Sequence, residues 1–438
     1  MRFKFKIRFI FDKNSKLNTK NAVALVFSLI VLSEIYLGSY RLNYLMQLLF
    51  LVALYVAGAK SVSFSFVKTI TPLLLVFGIG LLVSFFYPAQ KVDVFKDILY
   101  FSKPIIGLCL SFVVFKTIND ARIFFKVFIY LALFCAAIHL IGLAFFSNFL
   151  KSSISDIRDG FGFDNFLEIF GFFFLLFMPK TKIQPLFRKN WHRHLALVVL
   201  FVSVWFYFSR TMILMMVLLA ISFYGYAKLN SKSIKIIGVF VLFIALFVVV
   251  LNSIKIDRNS KGIEALFYKI KMAPSEVFNS KIDREDHKQL WDHWRAYEAK
   301  RAFAVMDDYT FSEITGTGFG SLVNLKFFVP LSEKKMKYIS RLHNGYVFIF
   351  YKTGFLGLLL YAWFLIILYI KVYDQSSDQS IIMFSKIISS IALFYFVTTL
   401  IISGIFISKD IVIFILGGAL YLRNKDAVII NQQINQVL

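Results

Sequence analysis

Apolar runs of bilayer-crossing length recur along the chain, near 21–38, 42–59, 68–87, 98–116, 123–146, 162–178, 194–209, 211–227, 234–251, 343–370, 383–403 and 408–422. These runs read as lipid-spanning helices, whose backbone groups are satisfied within the helix. About twelve helices are therefore predicted, several close to the shortest length that crosses the hydrocarbon layer. Ser209 and Arg210 interrupt one of these stretches, which reads either as two short helices or as one long run with a break. One interval departs from the pattern. From about Lys255 to Arg341 the chain is polar, and it returns to apolar residues at Leu342-His343-Asn344-Gly345-Tyr346. The predicted fold class is all-α: a polytopic membrane protein of about 12 transmembrane helices with one large, partly helical external loop. Its parts are residues 1–254 (N-terminal helices), 255–342 (loop) and 343–438 (C-terminal helices and a cytoplasmic tail).

Composition narrows the class. The 438 residues are 59% hydrophobic and 17% charged, with a mean hydropathy of +0.72, too little polar coat for a soluble chain of this length. The formal charge of +24 is concentrated in short links between apolar runs, where basic residues fix orientation beside anionic headgroups, so nucleic acid is not the expected partner. With the N-terminus in the cytoplasm, the inward links carry Lys60 and Lys68, then Lys116, Arg122 and Lys126, then Lys180, Lys182, Arg188, Lys189 and Arg193, then Lys228, Lys232 and Lys235. The outward links are poorer in basic residues or balanced by Asp93, Asp97, Asp156 and Asp159. Parity of the spans then puts both ends in the cytoplasm, and the polar interval and Arg210 outside. Met1 to Lys20 is basic and lacks a small-residue cleavage site, so it reads as a cytoplasmic tail. Cys109 and Cys135 both lie in apolar runs, which offers neither a disulfide framework nor a metal cluster. Glu34 and Glu168 are the most deeply set acids, fewer than an ion-coupled carrier needs.

The candidate chemistry lies in the polar interval. Asp286 to Met306 has helical character, with Trp291, Trp294 or Arg295, Glu298, Ala302 and Val305 at three- and four-residue steps. Held by a carboxylate such as Glu298 and braced by an indole, Arg295 presents a rigid fork of donors. A turn-rich run, Thr315-Gly316-Thr317-Gly318-Phe319-Gly320, permits sharp turns and can leave amides free near a ligand, although it lacks the lysine-Ser/Thr ending of a P-loop. His343 falls at the water–bilayer boundary, where Asn344 or Ser340 can cap the helix start and Tyr346 can share its hydrogen bonding. Gly354 and Gly357 suit close helix packing. Arg210 and Arg295 would bind a phosphate or pyrophosphate while His343 takes a proton from an attacking hydroxyl. Each has a plainer reading: Arg210 as a snorkelling anchor, Arg295 as part of a solvated face, and His343 as a boundary cap. His287 and His293 are alternative bases, and His139 reads as packing. The carboxylates Asp283, Glu285, Asp286 and Asp292 form a mixed-charge run, so no metal or other cofactor is expected.

Taken in order, WDHWRAYEAKRAF at 291–303, TGTGFGSLVNL at 315–325 and RLHNGYVFIFYKTGFLG at 341–357 resemble the blocks of the O-antigen ligase/polymerase superfamily. FYFSRTMIL at 206–214 resembles the family's earlier arginine-bearing helix junction. The resemblance implies a bacterial inner-membrane glycosyltransferase with its large loop in the periplasm. It would be metal-independent and inverting, with a donor glycan on undecaprenyl pyrophosphate and a glycan acceptor. By position, the family's loop arginine corresponds to Arg295, with Arg284 as fallback, its histidine to His343 and its junction arginine to Arg210. Arg341, Tyr346, Asn344 and Trp294 are expected to contact substrate. The wording NGYVFIFYKTG and the long loop favour a polymerase of O-antigen or capsule repeat units. The alternative is a ligase transferring the glycan to lipid A-core or a protein hydroxyl, and the alternative of another class is a flippase or transporter. Expected partners are membrane lipids, a flippase and a chain-length regulator.

Overall fold

The computed structural model describes residues 13–58, 63–146, 165–257, 262–278, 290–291, 293–330 and 335–437. It is nearly all helical. Among the described residues nine helices precede the polar interval: α1 (Lys13–Tyr36), α2 (Tyr40–Val56), α3 (Phe64–Val83), α4 (Lys91–Ile118), α5 (Ala121–Phe146), α6 (Phe166–Phe177), α7 (Asn190–Phe206), α8 (Arg210–Phe223) and α9 (Ser231–Ser253). The interval holds α10 (Gly262–Phe278), α11 (Trp294–Met306), the single turn α12 (Ser312–Thr315) and strands β1 (Val323–Pro330) and β2 (Lys335–Ile339). Helices α13 (Gly345–Tyr369), α14 (Gln379–Ile402) and α15 (Val412–Val437) complete the chain.

Each apolar run contains one helix, yet the lengths differ. Among the described residues seven helices are long and apolar enough to cross a membrane: α1, α3, α4, α5, α9, α13 and α14. The apolar parts of α2, α8 and α15 are shorter. Helix α6 has 12 residues, about 18 Å at the standard rise, against a hydrocarbon core of roughly 30 Å. The stretch around Arg210 resolves into two helices. Phe208 takes a left-handed φ of 45°, and Ser209 caps α8 by accepting from the Met212 amide at 3.4 Å.

Small residues set the packing. A Cβ on Gly417 would lie 2.4 Å from the Leu108 carbonyl oxygen, and one on Gly418 2.4 Å from the Phe115 ring, so α4 and α15 approach as only glycines permit. Ser111 donates to the Phe414 carbonyl across the same seam. Phe27 lies edge-on to Phe115, Phe128 and Phe414 at 5.5, 6.1 and 5.7 Å, the dispersion and quadrupole contact that replaces a hydrophobic driving force within lipid. Helix α9 is the opposite case. Only Ser233 and Leu251 of it are buried, which suits a helix bathed in acyl chains.

More charge is buried than the sequence reading allowed. Lys352 Nζ lies 2.5 Å from Asp97 Oδ2, both side chains fully buried, and Lys103 Nζ lies 2.5 Å from Glu34 Oε1. Gln47 also donates to Glu34 at 2.8 Å. Asp97 is therefore not a link residue: α4 begins at Lys91 and carries it nearly two turns inside. Each charge is tolerated because its counter-ion comes from another helix, α13 for Asp97 and α1 for Lys103.

The interval itself departs from an all-α reading. Strands β1 and β2 form an antiparallel hairpin pairing Val323 with Ile339 and Asn324 with Tyr338, with a bulge between Asn324 and Val329. The glycine-rich run does not offer free amides. Thr317 and Gly318 amides donate to the Tyr351 and Lys352 carbonyls at 2.8 and 3.1 Å, and the Phe319 amide to the Gly80 carbonyl at 3.0 Å. The Gly320 amide donates to Asp97 Oδ2 at 2.7 Å. Those carbonyls of α13 are open because the helix breaks at Gly354, φ 64° and ψ −165°. A Cβ at Gly354 would collide with Ile314 at 2.3 Å, so this glycine admits the loop rather than the neighbouring helix anticipated. The run is a strap that ties the polar interval to α3, α4 and α13.

Candidate functional site

The entry of α13 is fixed by local chemistry. Asn344 Oδ1 accepts from the Tyr346 and Val347 amides at 3.0 and 3.2 Å, the N-cap expected for a helix starting at a boundary. Ser403, itself left-handed at φ 72°, donates to the Leu342 carbonyl at 2.8 Å. Gly345 lies against it, where a Cβ would stand 2.8 Å from the Ser403 carbonyl oxygen. His343 is thus held at a rigid junction between the hairpin, α13 and α14.

Helix α11 supplies the partner. Tyr297 donates to the Leu325 carbonyl at 2.6 Å and Arg301 to the Asn324 carbonyl at 2.8 Å, so α11 lies along β1. One turn below, Glu298 is buried, and its carboxylate meets His343 Nδ1 at 2.9 and 3.0 Å. The His343 amide donates to Glu298 Oε2 at 3.0 Å, and the Trp294 indole donates to Oε1 at 2.7 Å. Three donors on one carboxylate hold it rigidly. The imidazole is 53% exposed while Glu298 is 2% exposed. With Nδ1 facing the buried acid, Nε2 is the nitrogen turned to the outside, the arrangement in which a carboxylate fixes the tautomer and the far nitrogen accepts a proton.

This partnership differs from the one anticipated. Glu298 was expected to hold Arg295; it holds His343 and Trp294 instead, because four residues on a helix align its carboxylate with the indole beneath it. Tyr346 was expected to share hydrogen bonding with His343, but its hydroxyl donates to the Phe396 carbonyl at 2.8 Å, on the α14 side. Trp294 is buried in a stack with Trp291 and Tyr297 at 5.1 and 5.8 Å.

The described arginines lie on separate elements. Arg295 lies in the first turn of α11, three residues before Glu298. Arg341, two residues before His343, has its guanidinium 5.5 Å from the centre of the Tyr100 ring on α4, a cation–π contact. Arg210 starts α8, and its Nη1 donates to the Lys269 carbonyl of α10 at 2.7 Å. Helix α10 packs against both α8 and α11. The structure therefore joins Glu298, Trp294 and His343 directly, Arg295 through its helix, and Arg210 through α10. Arg284, His287 and the carboxylates Asp283, Glu285, Asp286 and Asp292 lie outside the described residues. His293 is buried at the N-terminus of α11.

Helix α10 was not anticipated, although Ile263, Leu266, Phe267 and Ile270 repeat at the spacing of one helical face. Leu266 packs with Leu143 and Phe208, which seats α10 beside the Arg210 junction.

A multi-pass membrane protein with a carboxylate-oriented histidine at the edge of a polar segment defines the class. Residues 195–362 match the family model described as O-antigen ligase. No curated protein and no solved structure matches the chain. The matched segment runs from α7 into α13 and includes Arg210, Arg295, Glu298, Arg341 and His343. Through this segment the chain is similar to the O-antigen ligase/polymerase superfamily, a likeness that supports a function of that type in polysaccharide biosynthesis at a membrane.

Proposed function

We propose that the protein is a polymerase of the bacterial inner membrane. It joins oligosaccharide repeat units carried on undecaprenyl pyrophosphate into a surface polysaccharide of O-antigen or capsule type. The observation that carries this reading is the His343–Glu298 dyad, with its outward nitrogen unencumbered by the acid. In the proposed reaction His343 Nε2 removes the proton from an acceptor sugar hydroxyl as that oxygen attacks the anomeric carbon of the donor. The C–O bond to the pyrophosphate breaks on the opposite face, so the anomeric centre inverts. Glu298 stabilises the imidazolium that forms. The leaving lipid pyrophosphate takes the electron pair, and Arg295, Arg210 and Arg341, with Arg284 as a further candidate, balance its charge. Guanidinium groups can do this without a metal or any other cofactor.

The segment 255–342 would face the periplasm, between helices 1–254 and 343–438, in about twelve crossings. Membrane lipids, a flippase delivering the donor and a chain-length regulator are the proposed partners. A second reading, ligation of the finished glycan to lipid A-core or a protein hydroxyl, is favoured by the family description itself.

The test uses a strain lacking the gene, complemented with wild type or His343→Ala, with the surface glycan resolved by gel. Single-repeat caps in the mutant, with normal protein in the membrane, are expected for a lost polymerase. Long chains retained on the carrier would instead assign the ligase reaction. A wild-type glycan profile in His343→Ala would remove the proposed base.

A further inference from the structure

Further along α11 from Glu298 lies a groove of about 730 Å³ that the reaction so far leaves unused. Its floor is a flank of α11 carrying Arg301, with Asp308 just past the helix end; one wall is Asn324 and Lys326 of β1, and the other is Tyr87 with Tyr309. The groove has the volume of a small-molecule site, typically about 300–1,000 Å³. Several features mark it as built. Tyr87 reaches across to donate to the Thr310 carbonyl, and its ring meets Tyr309 edge-on at 4.8 Å, so the aromatic wall is braced. Lys326 stands in a left-handed conformation, φ 66°, with its amide held by Asn324 Oδ1 at 2.9 Å. This strained lysine sits in the hairpin bulge. A non-glycine residue held in that conformation can be a pointer to function, and bulges commonly re-aim a side chain at a site.

The groove is also tied to the chemistry by distance. Glu298 and Val305, seven apart, lie on one face of α11, and seven residues of helix span about 10 Å, roughly the reach of two sugar rings. Asn324 pairs with Tyr338, five residues before His343, so the wall and the base belong to one hairpin. Aromatic faces bordered by an amide, a carboxylate and two cations match the alternating apolar faces and hydroxyl edges of a saccharide.

Resting on the glycosyltransferase reading, we infer that this groove is the acceptor-glycan subsite, holding the sugars next to the hydroxyl that His343 deprotonates. It grips the acceptor chain rather than the lipid pyrophosphate.

The test measures binding of a two-repeat oligosaccharide, released from the producing strain's own surface polysaccharide, to the full-length protein in nanodiscs. Lys326→Gly deletes the ammonium while leaving a residue suited to the left-handed backbone, and Tyr87→Ala removes the braced ring. Loss of affinity of tenfold or more in Lys326→Gly, with an unchanged melting temperature, is expected. A further loss in Tyr87→Ala is expected, and Asp308→Asn serves in its place if that protein does not fold. Wild-type affinity in Lys326→Gly and in the second variant, in a protein that still elongates glycans, would overturn the groove alone. A wild-type protein that neither binds the oligosaccharide nor elongates any glycan would overturn the parent reading with it.

Discussion

At the scale of single residues, the decisive contact is a buried carboxylate on a half-exposed imidazole. Trp294, the His343 amide and the His343 ring all converge on Glu298, so this acid acts through His343 and is a positioning residue. Glu298→Gln should lower turnover roughly 10²–10⁴-fold, the range over which base catalysis and its orienting carboxylate operate. In a His343→Ala background the same change should cost nothing more, because residues that act as a unit are not additive. Two independent losses that multiply would reassign Glu298 to fold maintenance. The place of His343 at the start of a long apolar helix was legible in the sequence, and so was the cap, Asn344. The partner was not. Glu298 is near in sequence to Arg295 and 45 residues from His343, and a helical repeat reports only neighbours on its own helix. Tyr346 misled for the same reason: one turn from His343 on paper, it is rotated toward α14 in the fold.

Elements explain why the polar interval has a defined shape at all. Within the strap from Gly316 to Gly320, the amides of residues 317–320 go to α3, α4 and α13, and three of its glycines have φ between 75° and 89°. A Cβ at Gly318 would sit 2.7 Å from the Ser84 amide nitrogen. Gly318→Ala therefore combines left-handed strain of about 1–2 kcal/mol with a backbone clash that only undocking relieves. A clear fall in the detergent melting temperature is expected, together with loss of turnover as α11 and the hairpin lose their footing. Gly38→Ala is the control, since a Cβ there meets nothing within 4 Å. Equal melting of the two variants would show that the strap does not anchor the loop. Each predicted apolar run holds a helix among the described residues, although only seven of these helices are long and apolar enough to cross a membrane. The hairpin was obscured by Lys326, Phe327 and Phe328, whose bulge interrupts the alternation of a strand. The ion pairs were obscured because Asp97 and Lys352 are 255 residues apart, and each alone looks like a residue at a membrane edge.

For the whole molecule the question is which side of the bilayer the dyad faces. Basic links gave an orientation, but a charge rule weakens over an interval as long as Lys255 to Arg341. The fold supplies a firmer constraint, since α13 starts beside His343 and its apolar stretch extends without a charged break beyond Lys352 to Tyr369. His343 and the turn before α14 should then lie on opposite faces of the membrane. Cysteines placed at Lys300, on the exposed side of α11, and at Ser377, exposed ahead of α14, report the two faces separately. Replacing Cys109 and Cys135, both set in helices, removes the native thiols. In intact cells with a permeabilised outer membrane, an impermeant maleimide should label the cysteine at 300 and spare the one at 377. Lysis should expose the second. A donor exported to the outer leaflet can be used only by a dyad on that side, so labelling of 377 with protection of 300 would put His343 out of reach of its substrate and end the polymerase proposal. Labelling of both sites in intact cells would mean that α13 does not cross, which the pairing of its buried lysine with α4 argues against: an interfacial helix has no need to bring a counter-ion for Asp97 into the bundle.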